Sequence, residues 1–265
     1  MKYCRFRHEG CVRYGRVEER DGEFWVVAPI ESPEEDLRAR LGGLRSFASM
    51  AIESAQLLPP VTPSKIVCVG RNYRDHAKEM GNEVPTEPLL FFKPSSALLA
   101  SGGVVRLPKI SERVDYEGEL AVVIGKRVRN LGPDDDWRKV VRGYTLADDI
   151  SARDLQKNDG QWTRAKGFDT FCPVGPVVSD GIDPDAGVTI ETRVNGTLRQ
   201  QASTRDLIFP VGELLRYITR TMTLEPGDLI LTGTPAGVGA LKAGDRVEIS
   251  VAGLGTLRHS VETEE

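Results

Sequence analysis

The sequence predicts a mainly β protein with short peripheral helices, an α+β fold in which strands outnumber helices. Three observations support this: after residue 63 strand-like runs outnumber helical ones, turn signals are dense, and the helical segments are short. Residues 57–63 contain three prolines, which block regular strand pairing and indicate a stiff connector. We therefore predict a small N-terminal β-meander plus helix over residues 1–62 and a larger domain over residues 63–265.

The N-terminal part begins with an antiparallel meander over residues 2–30. Glu9-Gly10 and Asp21-Gly22 are turn signals that separate its strand-like runs. Ser32-Pro33-Glu34-Glu35 then matches a capping box with proline at the first helical position. This pattern predicts a helix that ends near Gly42-Gly43.

The larger domain alternates short apolar runs with turns. A helical segment, Arg74 to Met80, follows the first buried strand and can be closed by Gly81. Further elements are predicted in this order: strands at 66–70, 89–92, 104–107, 120–124 and 143–147, a short helix opened by Pro133 to Trp137, a helical turn up to Gln156, a hairpin around Asn195-Gly196, an amphipathic helix from Pro210 to Arg220, a strand at 229–232, and a hairpin around Gly253 to Gly255.

Two glutamates precede the apolar run 120–124. Side chains two residues apart in a strand project from the same face, so Glu117 and Glu119 should lie side by side. Two adjacent like charges beside an apolar strand are costly unless a cation compensates them. A divalent metal ion would do so, while the plain alternative is a solvated edge strand that carries two glutamates.

A third carboxylate lies at the end of the next predicted strand. Asp149 would complete a site made of oxygen ligands, which suit magnesium, manganese or calcium rather than zinc. Asp148 competes for this place, and strand alternation does not choose between the two.

Further candidate groups flank this acidic segment. His76 and Glu79 are spaced i, i+3 on a helical segment, so they can touch and prepare the imidazole as a general base, although an incidental surface pair is the alternative. Lys166 would be held charged beside three carboxylates, although an exposed lysine is the plainer interpretation. The loop 232–239 is glycine-rich but lacks a phosphate-binding ending, and its free amides could hold a carboxylate.

Composition restricts the classes of partner. The net charge of −4 argues against nucleic acid, and the sequence has no apolar run near the ~18 residues that span a bilayer. The first ten residues are charged rather than typical of a signal peptide, so we expect a cytoplasmic protein that binds neither nucleic acid nor membrane. The four cysteines form no CxxC pair and are expected to be reduced. Only three histidines are present, which disfavours a multi-histidine metal site.

Taken in chain order, these segments resemble the fumarylacetoacetate hydrolase family, in particular its acylpyruvate hydrolase and 2-hydroxyhepta-2,4-diene-1,7-dioate isomerase-like branch. The resemblance covers residues 64 to about 260, or roughly three quarters of the chain. It rests on Val69-Gly70-Arg71-Asn72-Tyr73 with His76 and Glu79, Phe92-Lys93-Pro94, Tyr116-Glu117-Gly118-Glu119-Leu120, Asp149 with Ala152-Arg153-Asp154 and Gln156, Ala165-Lys166, and Gly233-Thr234-Pro235 with Gly237-Val238-Gly239.

The resemblance implies a mixed β-roll catalytic domain, usually dimeric, that holds one Mg²⁺ or Mn²⁺ ion, for which Ca²⁺ could substitute. A small N-terminal β-rich domain precedes it in some relatives. Carried onto this sequence, the resemblance makes Glu117, Glu119 and Asp149 the metal ligands, His76 and Glu79 the water-activating dyad, Lys166 and Gln156 contacts to the substrate and to metal-bound water, and Arg71, Tyr73, Arg153 and Thr234 pocket residues.

The implied function is a divalent-metal-dependent hydrolase that cleaves a carbon–carbon bond in a small 2-oxo acid of the acylpyruvate type. The resulting enolate would be stabilised by the metal ion and Lys166. The same platform also serves isomerisation of a 2-hydroxy-dienedioate or decarboxylation of an oxaloacetate-like acid. A non-catalytic oxo-acid binding protein is a further alternative. The expected partners are the 2-oxo acid and a second copy of the chain.

Overall fold

The N-terminal strands form the predicted meander. The computed structural model describes residues 1–32 and 47–265, so the helix predicted between Ser32 and Gly43 lies outside the described residues. The two predicted turns have φ values of 49° and 74° at Glu9 and Gly10, and of 52° and 82° at Asp21 and Gly22. These left-handed values are those of type I′ hairpin turns. The strands of this part are β1 (Lys2–His8), β2 (Cys11–Arg20), β3 (Glu23–Ile30), β4 (Met50–Ala51) and β5 (Gln56–Leu58).

The proline-rich connector differs in one respect from the prediction. Its first residues, Leu57 and Leu58, still pair with Phe6 and Arg5 as part of β5. Pairing stops at Pro59, so the prolines end a strand rather than prevent one.

The other elements of the described residues confirm a mainly β fold, in which the helices are few and short. They are β6 (Ile66–Gly70), α1 (Arg74–Glu79), β7 (Leu89–Lys93), β8 (Leu98–Ala100), β9 (Val104–Leu107), β10 (Val114–Tyr116), β11 (Gly118–Ile124), β12 (Val141–Asp148), β13 (Ser151–Ala152), α2 (Arg153–Asn158), α3 (Thr163–Lys166), β14 (Cys172–Ser179), β15 (Thr189–Val194), β16 (Thr197–Ser203), α4 (Val211–Thr221), β17 (Leu229–Leu231), β18 (Gly239–Ala240), β19 (Arg246–Val251) and β20 (Gly255–Thr263).

Three sheets organise these strands. The largest runs in the order β4-β3-β2-β1-β14-β12-β11-β17-β6-β7, with β5 beside β1 and β8 beside β14. A five-stranded sheet has the order β16-β15-β19-β20-β9, and a small one has the order β13-β10-β18. Because β1 pairs with β14 through Lys2 opposite Ser179, one ladder crosses the predicted division at residue 62, and the division into two domains stays a prediction.

The central strand β11 lies between two hydrophobic clusters, which explains why its sequence is apolar on both faces. Leu120, Val122 and Ile124 belong to the core cluster that also contains Val247 and Ile249 of the five-stranded sheet. Ala121 and Val123 belong to the second cluster, on the other side of the strand. A strand buried on both faces reads as a continuous hydrophobic run.

Two helical predictions have different outcomes. The amphipathic helix is confirmed as α4, which buries Leu214, Leu215 and Ile218. The short helix predicted to open at Pro133 is wrong in position, because the only helical turn there is a 3₁₀ turn, Trp137–Val140, capped by Asp136.

Within the described residues, no helix combines the length and the apolar character needed to cross a bilayer. All four cysteines are free thiols, as predicted.

The glycine-rich loop after β17 passes very close to strand β16. A Cβ atom at Gly237 would lie 2.0 Å from the carbonyl oxygen of Arg199, and Gly237 has a φ of +104°. Gly196, in the turn before β16, also has a left-handed φ of +78°, but a Cβ there would meet nothing within 4 Å. The loop therefore depends on glycine at residue 237 for space as well as for backbone conformation.

We expect Gly196→Ala to cost about 1 kcal/mol of stability through backbone strain alone. Gly237→Ala should cost about 3 kcal/mol or more, because the added methyl also overlaps a backbone atom. Urea denaturation of both variants measures the difference. Equal losses would show that the loop can move away from β16 without penalty.

Candidate active site

Three acidic side chains converge where β10, β11 and β12 meet. Glu117 lies between β10 and β11, Glu119 is the second residue of β11, and Asp149 directly follows β12. The pairing of Gly118 with Asp148 brings the three residues together. One oxygen atom from each carboxylate lies within 4.8 Å of the others, and all three residues are buried. The predicted convergence is present, and the role of these residues as metal ligands stays a prediction.

The structure separates Asp149 from its neighbour. Asp148 accepts a hydrogen bond from the backbone N–H of Glu117 (2.7 Å) through one oxygen, and its other oxygen lies 2.8 Å from Nε2 of His259. Both side chains are fully buried. Asp148 therefore supports the backbone of Glu117, while Asp149 carries the third carboxylate of the cluster.

Two buried lysines hold Asp149. Lys166 Nζ lies 2.7 Å from Glu117 Oε2 and 2.6 Å from Asp149 Oδ2. Burial opposes the charged form of Lys166, but the negative charges of Asp149 and Glu117 outweigh burial and raise its pKa. Lys93 Nζ lies 2.6 Å from Asp149 Oδ1. The sequence analysis assigned no role to Lys93, although Phe92-Lys93-Pro94 is one of the segments that carry the family resemblance.

Arg153 fixes the other side of the cluster. Its guanidinium donates to Glu117 Oε1 (2.6 Å), Asp115 Oδ2 (2.9 Å) and Gln156 Oε1 (2.9 Å). Asp115 is buried and also accepts two hydrogen bonds from Arg113, a contact that sequence reasoning did not find. Arg153 thus orients a candidate ligand, Glu117, as well as lining the cleft.

The carboxylates of Glu117 and Glu119 have opposite electrostatic surroundings. Burial opposes ionisation of Glu117, but the charges of Arg153, Lys166 and His76 outweigh it and lower its pKa. Burial, followed by the charges of Asp149 and Glu117, raises the pKa of Glu119 well above its ordinary value. Among the described residues, no cationic side chain forms an ion pair with Glu119, whose one polar contact is the Gly233 N–H at 2.6 Å. An uncompensated carboxylate between two others is a donor set that fits a divalent cation.

The predicted pair of His76 and Glu79 is formed. His76 Nδ1 lies 3.2 Å from Glu79 Oε2, and His76 Nε2 lies 4.0 Å from Glu117 Oε1. A proton on Nδ1 would be donated to Glu79 and would leave Nε2, on the side of the carboxylates, able to accept another. The backbone N–H of Gly237 also donates to both oxygens of Glu79, at 3.0 and 3.2 Å. The amides of the glycine-rich loop therefore hold carboxylates of the protein itself.

An open cleft of about 700 Å³ lies over these groups. It is lined by the candidate ligands and dyad and by Arg71, Gln156, Thr234 and the aromatic pair Phe91 and Trp162. Tyr73 does not line it: this side chain is buried beside the cleft, and its hydroxyl has no hydrogen-bond partner among the described residues. Thr234 donates to the carbonyl oxygen of Gly118 (3.0 Å).

Comparison with known proteins identifies the family. The model of the fumarylacetoacetate (FAA) hydrolase C-terminal domain matches residues 65–262. The chain belongs to the fumarylacetoacetate hydrolase family. It is 42% identical over 231 residues to the oxaloacetate tautomerase YisK of Bacillus subtilis, a match that covers 82% of this chain and 76% of that protein.

Two further relatives cover nearly the whole chain. The 2,4-didehydro-3-deoxy-L-rhamnonate hydrolase of a Sphingomonas species is 40% identical over 275 aligned residues, which cover 98% of this chain and 96% of that protein. The crystal structure of 2-hydroxyhepta-2,4-diene-1,7-dioate isomerase from Mycobacterium marinum has a TM-score of 0.86 at 39% identity, covering 100% of this chain and 99% of that one. Relatives of this family thus include enzymes of different reaction classes.

The raised pKa of Glu119 predicts a pH-dependent loss of stability in the ion-free protein. An acid whose pKa rises on folding stabilises the protein fully below its unfolded pKa of about 4.3, and this contribution is lost as the pH rises through the folded value. We expect Glu119→Gln, with a chelator present, to be more stable than wild type at about pH 8, with a difference that shrinks toward about pH 4.

Urea denaturation over this pH range, with a chelator and then with Mg²⁺, measures the difference in free energy of unfolding between Glu119→Gln and wild type under both conditions. With Mg²⁺ the order should reverse, because the amide of the variant lacks the negative charge that would bind the ion. Equal stabilisation of both proteins by Mg²⁺ would remove Glu119 from the set of ligands.

Proposed function

We propose that this protein is a divalent-metal-dependent enzyme that acts on a small 2-oxo acid, with Mg²⁺ or Mn²⁺ held by Glu117, Glu119 and Asp149. The observation that carries the proposal is the buried carboxyl group of Glu119, which forms no ion pair with a cationic side chain of the described residues and lies next to two other carboxylates, in a cleft that also holds the His76–Glu79 pair. When bound, the ion supplies a Lewis acid for the carboxylate and 2-oxo oxygens of the substrate.

For hydrolysis, the residues of this chain have distinct tasks. His76, held by Glu79, takes a proton from water, which attacks the distal carbonyl of an acylpyruvate-type substrate. The carbon–carbon bond then breaks to give a carboxylic acid and a pyruvate-like enolate. Lys166 uses two of its three N–H donors on Glu117 and Asp149, so the third can donate to the negatively charged enolate oxygen.

A second candidate function is isomerisation or tautomerisation. In this reaction the His76–Glu79 pair moves a proton between carbon and oxygen, and no water is added. The observation that favours it is the reaction named for two similar proteins, the oxaloacetate tautomerase of Bacillus subtilis and the dienedioate isomerase of Mycobacterium marinum. Decarboxylation of an oxaloacetate-like acid would use the same groups. Offering an acylpyruvate, oxaloacetate and a 2-hydroxy-dienedioate to the purified protein with Mg²⁺ distinguishes the three reactions.

The dyad is tested by His76→Ala and Glu79→Gln. We expect turnover to fall by about 10²- to 10⁴-fold, which is the usual contribution of general acid–base catalysis. Mg²⁺ binding, measured by calorimetry with and without oxalate as an enolate mimic, should persist, because neither residue belongs to the three carboxylates. Undiminished turnover in His76→Ala would exclude the dyad, and wild-type binding of Mg²⁺ and oxalate without turnover on any substrate would indicate a binding protein.

The charges around the cleft indicate an anionic substrate. Asp115, Glu117 and Asp149 are contacted by four side-chain cations, on Lys93, Arg113, Arg153 and Lys166, and the carboxyl group of Glu119 makes the number of acidic groups four as well. With the Glu79 carboxylate of the same cleft included, a divalent ion would leave one net positive charge before Arg71 is counted.

Arg71 adds a further positive charge to the cleft wall. It is half-buried in a left-handed conformation (φ 57°), and within the described residues its side chain forms no hydrogen bond or ion pair. A strained residue with an unused charge in a cleft is suited to a ligand. We propose that Arg71 contacts the acidic end of a substrate that carries two negative charges.

For Arg71→Gln we expect KM to rise by about tenfold for a 2-oxo dicarboxylate, since a lost charge-assisted hydrogen bond is worth about 1.5–3 kcal/mol. The KM for a 2-oxo monocarboxylate of similar length should change much less. Steady-state kinetics with a matched pair of substrates measures the contrast. Equal changes in KM for both substrates would place Arg71 away from the substrate tail.

The resemblance also supports a homodimer as the proposed quaternary state. Light scattering on the purified protein at several concentrations measures the mass directly. The enzymatic proposal does not depend on this result, because the three carboxylates and the dyad all come from one chain.

A further inference from the structure

Gln200 is a buried amide side chain that reaches the candidate site from a different sheet. It lies on β16, and only 1% of its surface is exposed. Its Oε1 accepts the backbone N–H of Gly118 at 3.0 Å, and its Nε2 donates to Thr234 Oγ1 and to the Pro235 carbonyl oxygen, both at 2.8 Å. One side chain thus uses its acceptor and its donors on two different segments.

The first segment is the link between two candidate ligands. Gly118 separates Glu117 from Glu119, and its carbonyl oxygen accepts a hydrogen bond from Thr234. A Cβ atom at residue 118 would lie 2.1 Å from Thr192 Oγ1, so only glycine lets the five-stranded sheet approach here. This close approach brings Gln200 within reach of the N–H of Gly118. Gln200 therefore holds the Glu117–Gly118 peptide, and Thr234, which Gln200 also contacts, holds the Gly118–Glu119 peptide.

The second segment is the glycine-rich loop. Its Gly233 N–H binds Glu119, and its Gly237 N–H binds Glu79 of the dyad. Gln200 holds this loop at Thr234 and Pro235, between those two amides. Because Gln200 holds the loop in place, it also affects the positions of Glu119, a candidate metal ligand, and of Glu79, which orients His76.

We propose that Gln200 is a positioning residue that sets the spacing between the carboxylate cluster and the His76–Glu79 pair. This inference rests on the proposed function for its catalytic consequence, but its structural content stands on the contacts alone. An amide is suited to the task because it combines an acceptor with two donors. A residue without these groups would leave the Gly118 N–H and the Pro235 carbonyl unpaired in a buried region, which is costly.

The test compares Gln200→Met with Gln201→Met. Methionine has a similar length but neither donor nor acceptor at the amide position. Gln201 is the next residue on the same strand and is exposed, and among the described residues its side chain hydrogen-bonds to Glu191 alone, so it is a matched control outside the site. Calorimetry gives the affinity for Mg²⁺, steady-state kinetics gives kcat and KM, and hydrogen exchange reports the protection of residues 117–119 and 232–239.

For Gln200→Met we expect about a tenfold weaker affinity for Mg²⁺ and a lower kcat, the usual scale for loss of a residue that orients metal ligands. Exchange at residues 117–119 and 232–239 should rise, and Gln201→Met should match wild type in all three measurements. The kcat effects of Gln200→Met and Glu79→Gln should be non-additive, because both act on the same pair. Additive effects, or equal exchange in the two methionine variants, would overturn the proposal.

Two further outcomes remain decisive. If Gln200→Met does not fold, Gln200→Glu keeps the acceptor for Gly118 but loses the donors to the loop. Exchange should then rise at residues 232–239 and not at residues 117–119, and uniform or unchanged exchange would refute the positioning role. If wild type binds no Mg²⁺, the proposed function fails, while the exchange comparison between Gln200→Met and Gln201→Met still decides whether Gln200 holds the two segments.

Discussion

The structure is constrained above all by three carboxylates placed together inside the protein. Glu117, Glu119 and Asp149 are buried with one oxygen of each within 4.8 Å of the others, and at such low exposure water screens their repulsion only weakly. Buried lysines and an arginine form ion pairs with two of these carboxylates and compensate their negative charge. Lysine and arginine normally lie at the protein surface. These cations come from β7, α2 and α3, so the acidic cluster determines how the elements around it pack.

The cationic side chains are distributed unequally over the three carboxylates, and this unequal distribution determines the chemistry of the site. Glu117 and Asp149 each contact two cationic side chains, whereas the polar contact of Glu119 is a backbone N–H. A cluster built only for stability would gain from pairing every carboxylate. The family includes enzymes named as hydrolases, isomerases and tautomerases, and a shared acidic centre with a nearby proton-transfer pair is compatible with each of these reactions.

Local signals in the sequence predicted much of this arrangement. The turns at Glu9-Gly10 and Asn195-Gly196, and the i, i+3 contact of His76 with Glu79, depend on neighbours in the chain and are confirmed. The choice of Asp149 over Asp148 depends on the direction the backbone takes after β12, which alternation does not specify. The site contacts of Lys93, Asp115 and Gln200 were missed because Asp149, Arg153 and Gly118, the respective partners, are distant in sequence. The short helix expected at Pro133 begins later, because the Asp135 side chain binds the N–H of Gly132 and stabilises a turn there.

The antiparallel pairing of β1 with β14 has a consequence for variants that lack the N-terminal strands. Residues 172–174 of β14 are covered by β8, but residues 178 and 179 pair with the first strand of the chain. Without that strand, the outer end of β14 would have unpaired backbone N–H and C=O groups. Such an exposed edge can pair with a strand of another chain. Pairing with β1 therefore satisfies this part of the β14 edge, a structural contribution separate from any chemistry in the cleft.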